Sequence, residues 1–404
     1  MQDGSDPLTR CGIDTVEIAR IDRWLRETPR DDLGRVFSPE ELADAGEERG
    51  RVASLAARFA AKEACLKLFP RETAHGVIGP ADFAVTRDGY GAPKVQCSPE
   101  AREVLDRYRL KAIAISLTHD TTSASAIAVS EPAQIEVPLL GKLIFHLLPV
   151  RRRIVLANLR RVFAGLVPET EIRQLAQAHY AHLARLVGEF LRFFWLSHAK
   201  RAAMVRVENI EAILRAGDRG KGVLVLTGHF GNWEVATIAG IAGFPQYRGS
   251  FHFLRRPLRP RWFDALLTRR FRRAGLGTLP KKGALDEILQ RLAAGDGVVF
   301  VFDQHAGGSD GIPVRFFGHP AGTFRSLAIL ALATGAPVVP AASWREPDGG
   351  HVLRFEEALP LIESEDTNEA IRKNTQAYNA ILERLVLRHP EQWFWVHQRW
   401  KEEG

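Results

Sequence analysis

The alternation of apolar and polar positions changes character along the chain. In the first part, residues 11–17 read as a strand, 18–26 as an amphipathic helix, and 39–45 as a second helix opened by Ser38 as N-cap with Glu41 at the capping-box position. An Ala- and Leu-rich helix over about 51–68 follows and is stopped at Pro70. Residues 83–86, 94–97, 111–117 and 123–129 then read as strands around turns such as Asp88-Gly89-Tyr90-Gly91. An α+β domain with a mostly antiparallel sheet is expected.

The strand pattern ends in Glu131-Pro132, and beyond it the chain turns helical and basic. Helices are expected over 139–163, with an interruption, and over 169–199. Continuous apolar runs at 222–226, 297–302 and 337–341 are separated by helix-length segments, the pattern of an α/β domain whose parallel or mixed sheet is covered by helices. The organisation implied is a disordered start over 1–10, a first domain over 11–130, a linker over 131–138 and a second domain over 139–404.

A chain of 404 residues suits two or three domains, and 46% hydrophobic with 25% charged residues is ordinary for a soluble globular protein. Cys11, Cys65 and Cys97 have no paired spacing, which supports neither a disulfide framework nor a zinc site and fits a reducing cytosolic compartment. Residues 1–10 are polar and acidic, unlike a secretory signal. The apolar stretch 135–150 carries Lys142 and His146 between Pro138 and Pro149, too short and broken to cross about 30 Å of hydrocarbon but able to lie along a membrane surface. Residues 1–130 hold 18 Lys and Arg against 21 Asp and Glu, so the remainder carries the excess, 37 against 27. Its arginines are interleaved with aliphatic runs and no nucleic-acid motif accompanies them, so an anionic membrane face or an acidic protein is the expected partner, not nucleic acid.

Two groups of residues carry chemistry. In the first, Asp14 ends an apolar strand and Glu63 lies mid-helix, two carboxylates on rigid elements that can seat a magnesium ion, which takes few protein oxygens. Lys67 stands four residues after Glu63 on the same helix face; such a pair is also what an ordinary solvated helix carries. The wider set is more specific: Gly12-Ile13-Asp14 with Glu17-Ile18, Phe37-Ser38 with Glu41, Arg58-Phe59-Ala60-Ala61-Lys62-Glu63-Ala64 with Lys67, Gly91 with Pro93, and Ser116-Leu117-Thr118-His119-Asp120, in order. Together they resemble holo-acyl-carrier-protein synthase, the small 4′-phosphopantetheinyl transferase, over residues 11–130. That resemblance implies magnesium on Asp14 and Glu63, and Lys67 on the coenzyme A diphosphate. Arg58, Lys62 and His119 are its candidates for phosphate binding or for activating the carrier-protein serine. It further implies a homotrimer with sites between subunits. Arg20, Arg23 and Arg26, spaced by three on one helix, resemble the surface that grips an acidic acyl carrier protein, or are simply a solvated face.

In the second group His229 follows the apolar run 222–226, in Gly228-His229-Phe230-Gly231-Asn232-Trp233-Glu234. With Asn232 as N-cap of the next helix, the Glu234 carboxylate can turn back to the imidazole and set its tautomer, giving a base for a hydroxyl. No Gly-x-Ser-x-Gly elbow is present, which favours direct transfer to an acceptor over a covalent acyl-enzyme. Leu148-Pro149-x-Arg151-Arg152-Arg153 with Asn158-Leu159, the His229 block, Arg255-Arg256-Pro257, Asp303-Gln304, and 390–399 resemble the late lipid A (lauroyl) acyltransferases. The resemblance makes His229 the general base and Glu234 its partner, with Arg255, Arg256 and Asp303 as substrate-binding candidates. Members of that family commonly begin with a membrane-spanning helix, and here the first domain stands in its place.

The expectation is a bifunctional enzyme, phosphopantetheinyl transferase and acyltransferase, that uses coenzyme A, magnesium, an acyl carrier protein and a lipid or glycolipid acceptor. It would sit peripherally on the cytoplasmic face of the inner membrane. Two other readings stand beside it: one half serving only as a carrier-docking module, or the second half hydrolysing thioesters or lipids.

Overall fold

In a computed structural model the chain forms two compact units, Met1–Ile135 with Phe163–Glu171 and Glu136–Val162 with Ile172–Gly404. The structure describes residues 9–46, 50–70, 76–133, 135–148, 150–193, 195–196, 200–201, 203–256, 259–281 and 283–401. Most of the expected disordered start (1–8), one residue of the expected linker (134) and the end of the helix expected over 169–199 (197–199) lie outside the described residues.

In the first unit β1 (Cys11–Glu17) runs straight into α1 (Ile18–Glu27). The capping box read from Ser38 and Glu41 opens α2 (Pro39–Asp44), with Ser38 N donating to Glu41 Oε2 at 2.7 Å and Glu41 N to Ser38 Oγ at 3.3 Å. Then come α3 (Arg51–Leu66), the hairpin β2 (Phe83–Arg87) and β3 (Pro93–Cys97), α4 (Pro99–Arg107), β4 (Leu110–His119) and β5 (Ser123–Pro132). The main sheet has the order β1-β5-β4 and is antiparallel throughout. Strand β5 continues through Glu131-Pro132, which the sequence pattern assigns to a linker; the proline is tolerated because it is the last paired residue, where a missing N–H costs little. Alanines 56, 57, 60, 61 and 64 of α3 are buried in the core. At Gly12 a Cβ would stand 2.0 Å from the Ala64 carbonyl oxygen, so helix and strand approach this closely only with glycine there.

The second unit begins with α5 (Leu139–Leu147), α6 (Arg152–Phe163) and α7 (Glu169–Phe193). It continues with β6 (Val205–Glu208), α8 (Ile210–Gly217), β7 (Val223–Thr227), α9 (Trp233–Ala242), β8 (Phe251–Arg255), α10 (Arg261–Ala274), β9 (Leu276–Pro280), α11 (Leu285–Ala293) and β10 (Gly297–Val301). The hairpin β11 (Gly311–Phe316) and β12 (His319–Phe324), then α12 (Ser326–Thr334), β13 (Val338–Arg345), β14 (His351–Phe355) and α13 (Thr367–Arg388) complete it. Seven strands form one mixed sheet in the order β6-β14-β13-β7-β10-β8-β9, in which only β13 and β14 pair antiparallel. The three apolar runs read from the sequence are its centre, β13, β7 and β10. The outer strands escaped that reading because Phe251-His252-Phe253-Leu254-Arg255 and Leu276-Gly277-Thr278-Leu279-Pro280 mix polar, Gly and Pro positions into short segments. No helix among the described residues is long and apolar enough to cross a membrane.

Candidate active sites

Since β7, β8, β9 and β10 are mutually parallel, their carboxyl ends open on one side of the sheet, the usual seat of a site in such a fold. His229 lies two residues past β7 and Asp303 two residues past β10, the neighbouring strand. That adjacency brings His229 Nδ1 to 2.8 Å from Asp303 Oδ1, while the His229 backbone N–H donates to Asp303 Oδ2 at 2.7 Å. The same oxygen accepts from Trp393 Nε1 at 2.9 Å. Gly228 and Gly231 make room for this turn: a Cβ on the first would lie 2.9 Å from Asp303 Oδ2. On the second, whose φ is +54°, it would lie 2.6 Å from the Ser343 carbonyl. Asn232 caps α9 through Val235 N, as expected, and its amide also donates to Glu189 Oε2 at 2.9 Å. Arg345 grips both Glu189 oxygens, so an ion pair between a buried guanidinium and a half-buried carboxylate holds the turn from behind.

Electrostatics agree with the geometry. Burial works against the charged imidazole, yet the charge and hydrogen bond of Asp303, with Glu234 adding, hold His229 above its ordinary value. Burial also opposes the Asp303 carboxylate, but His229 and Trp393 hold it well below the usual carboxylate range. His397, 5.2 Å from His229 between ring centroids, is pushed down to about 4 by burial and then by His229, and stays neutral. Lys281, just past β9, is pushed down to about 8 by burial and by Arg256. Against this rim lies a cavity of about 710 Å³ with walls that include Gly228, Trp233, Phe253, Phe271, Val299 and Val301.

In the first unit Lys67 Nζ is 2.7 Å from Asp14 Oδ1 and 2.9 Å from the Ile13 carbonyl. Burial, then the charge of Asp14, hold the Glu63 carboxyl above the ordinary carboxylate range, against the pull of Lys67 and Arg20. Two like charges kept close beside a half-exposed ammonium suit a cation and a phosphate. Among the described residues no three His, Cys, Asp or Glu side chains group as metal ligands.

The sequence profile of the bacterial lipid A biosynthesis acyltransferases matches residues 136–402, and that of the 4′-phosphopantetheinyl transferase superfamily residues 10–126. The holo-acyl-carrier-protein synthase of Moorella thermoacetica is 37% identical over 124 residues, 31% of this chain and 94% of that protein. That of Treponema denticola is 37% identical over 123 residues, 30% and 95%. The chain belongs to the lipid A acyltransferase family and, in its first part, to the holo-acyl-carrier-protein synthases. The crystal structure of the Helicobacter pylori synthase in complex with coenzyme A matches 30% of this chain and 99% of its own at 27% identity, with a TM-score of 0.26.

Both parts are therefore transferase domains. In the synthase part, Asp14, Glu63 and Lys67 come together as expected, with Arg20 close by. His119 ends β4 and is exposed; the register sets it across β5 from Val16, on the face that also carries Asp14. Arg20, Arg23 and Arg26 are exposed on α1, where Arg26 Nε donates to Asp22 at 3.2 Å. Two candidates are corrected. Lys62 is 0% exposed, 2.8 Å from a Glu41 carboxylate that is equally buried, and it donates to the Phe83 carbonyl at 2.8 Å. Arg58 is buried and committed to Ser54 and Asp44. Both hold the synthase core together instead of facing a phosphate.

In the acyltransferase part His229, Glu234, Asp303, Arg255 and Arg256 converge, but the carboxylate on the imidazole is Asp303. Glu234, itself raised first by burial, acts on His229 through charge without that bond. The reason is strand order: Asp303 stands beside His229 on the adjacent parallel strand, whereas Glu234 starts the outgoing helix. Arg255 donates to Thr268 Oγ1 at 2.7 Å and pairs with Asp264, so it fastens α10. Sequence reasoning missed Lys281, which has no motif, and the role of Trp393, which stood in plain view within a matching block. Arg151 and Asn158 donate to the carbonyls of Val396, and of Trp395 and His397, holding the segment whose Trp393 reaches Asp303.

Proposed function

We propose that the chain is a bifunctional enzyme with a phosphopantetheinyl transferase domain over 11–130 and an acyltransferase domain over 139–404. The first moves 4′-phosphopantetheine from coenzyme A to a serine of an acyl carrier protein. The second moves an acyl group from such a carrier to a hydroxyl of a lipid or glycolipid. The observation that carries the second activity is the His229–Asp303 pair, 2.8 Å apart, at the rim of an apolar cavity of about 710 Å³. That volume suits an acyl chain.

With Nδ1 held by Asp303, Nε2 is the nitrogen that takes the proton of the acceptor hydroxyl. The hydroxyl oxygen attacks the thioester carbonyl, the carbon–sulfur bond breaks, and the imidazolium returns the proton to the departing thiolate. Asp303 stays ionised throughout and stabilises the imidazolium. Lys281 and Arg256 give the rim positive charge for an anionic group on either substrate.

In the first unit Asp14 and Glu63 would hold magnesium, which when bound draws negative charge from the pyrophosphate. Lys67 orients a phosphate oxygen, and His119 accepts the serine proton. The serine oxygen attacks phosphorus and the bond to adenosine 3′,5′-bisphosphate breaks. Ile13 and Ile127, paired across β1 and β5 and 63% and 38% exposed, support self-association into a trimer through this sheet face.

Peripheral attachment to a membrane surface, proposed to be the cytoplasmic face, draws its support from the exposed apolar side of α5. Gly141 and Phe145 turn inward, while Leu139, Leu140, Leu143 and Leu147 stay exposed beside Lys142. Incubating the protein with acylated carrier and a membrane lipid extract, and reading products by mass spectrometry, tests the acyl transfer. A new acyl-lipid is expected; free acid formed without acceptor would make the second unit a hydrolase.

A further inference from the structure

Helix α10 has two unlike faces. Its inner face carries buried Leu267 and Phe271, and Phe271 walls the cavity beside Gly228 and Trp233. Its outer face carries Arg261, Arg269, Arg272 and Arg273, all exposed. The first three, with Ala265, follow one another at spacings of three or four, one stripe along the helix. Among the described residues no acidic side chain pairs with any of these four. Asp264, the helix's single acid, is turned to Arg255 at the end of β8. Four uncompensated guanidinium groups on one helix face form a surface for an acidic partner.

We propose that this outer face is the docking surface for the acyl donor, an acidic protein that bears the acyl group on its phosphopantetheine arm. The inference rests on the reading that the second unit draws its acyl group from a carrier protein. Three observations favour a protein over a lipid surface. The face is dense in charge, with Trp262 as its one large exposed apolar side chain among those described, in contrast with the leucine stripe of α5. The opposite side of the same helix is buried and its Phe271 lines the cavity, so a partner on α10 is separated by that one helix from the cavity its cargo must reach. The chain also carries a second basic helix, α1, with Arg20, Arg23 and Arg26 exposed, of which Arg26 is paired with Asp22, in the unit proposed to act on a carrier protein.

The test reverses charge at Arg269, Arg272 and Arg273 to Glu in the full chain and measures acyl transfer from an acylated carrier protein and from acyl-pantetheine, a donor without protein. KM for the acylated carrier should rise at least tenfold at low salt, and the salt dependence of kcat/KM should flatten. Transfer from acyl-pantetheine should stay within twofold, as should phosphopantetheinyl transfer, which also reports that the variant is folded. Replacement of the three by Lys should restore most of the carrier KM. An unchanged carrier KM, or equal loss with both donors, overturns the proposal. So does lost binding to anionic phosphatidylglycerol vesicles with the carrier KM intact, which would assign the face to lipid. Should the unaltered protein transfer from neither donor, the acyl-transfer reading itself fails, a result distinct from all of these.

Discussion

The two sites solve opposite electrostatic problems. Around His229 the groups that orient the ring are partnered inside their own unit: Asp303, 1% exposed, holds the ring, Trp393 holds Asp303, and Glu189 with Arg345 holds the turn. Around Asp14 the charges are left over: Glu63 is raised by burial and then by its acidic neighbour, and Lys67 is 51% exposed, bound among the described residues to Asp14 and the Ile13 carbonyl. A base that acts on a neutral hydroxyl must be oriented before the substrate arrives. A site for pyrophosphate gains by keeping charges that its ligand will satisfy. Pre-organisation at the first and unspent charge at the second follow from the chemistry each serves.

The sharpest way to break this contrast is Asp303→Asn. Acyl transfer should fall roughly 100-fold or more, since the ring loses both tautomer and charge support. As Asp303 is what raises His229 against burial, the acid limb of the residual rate should also move to lower pH. A limb that stays or moves up would remove Asp303 from the account. Next, Lys62→Met should cost about 3–5 kcal/mol of stability by leaving Glu41 buried and unpaired, and adding Glu41→Leu should recover much of it in urea titrations. A stable Lys62→Met protein with weakened coenzyme A binding would return Lys62 to the phosphate site. Glu63→Gln should lower phosphopantetheinyl transfer at least tenfold without changing thermal stability by more than about 1 kcal/mol, because its charge is strained in the free protein. Asn232→Ala is the mildest, about 1 kcal/mol from the lost cap, with a modest drop in acyl transfer and none in the other reaction.

What could be read from the sequence was whatever is written in contiguous residues. The Ser38 and Glu41 capping box, the Asn232 cap, the three central strands and the place of His229 after β7 all depend on neighbours a few positions apart. What could not be read depends on partners brought from afar. Asp303 is 74 residues from His229 and reaches it because β10 lies beside β7. Glu41 neutralises Lys62 only because α2 and α3 pack together, so a charged residue in a motif passed for a ligand when it was part of the core. Lys281 owes its place to the end of β9, a strand too short and mixed to announce itself.

The claim that two separate active sites share one chain is tested most directly by assaying both reactions, side by side, on Asp14→Ala and His229→Ala in the full-length protein. Asp14→Ala should abolish phosphopantetheinyl transfer and keep acyl transfer from an already loaded carrier within twofold. His229→Ala should do the reverse, with acyl transfer down by a factor on the order of 1000. Either variant losing neither reaction, or both together while remaining folded, would contradict it.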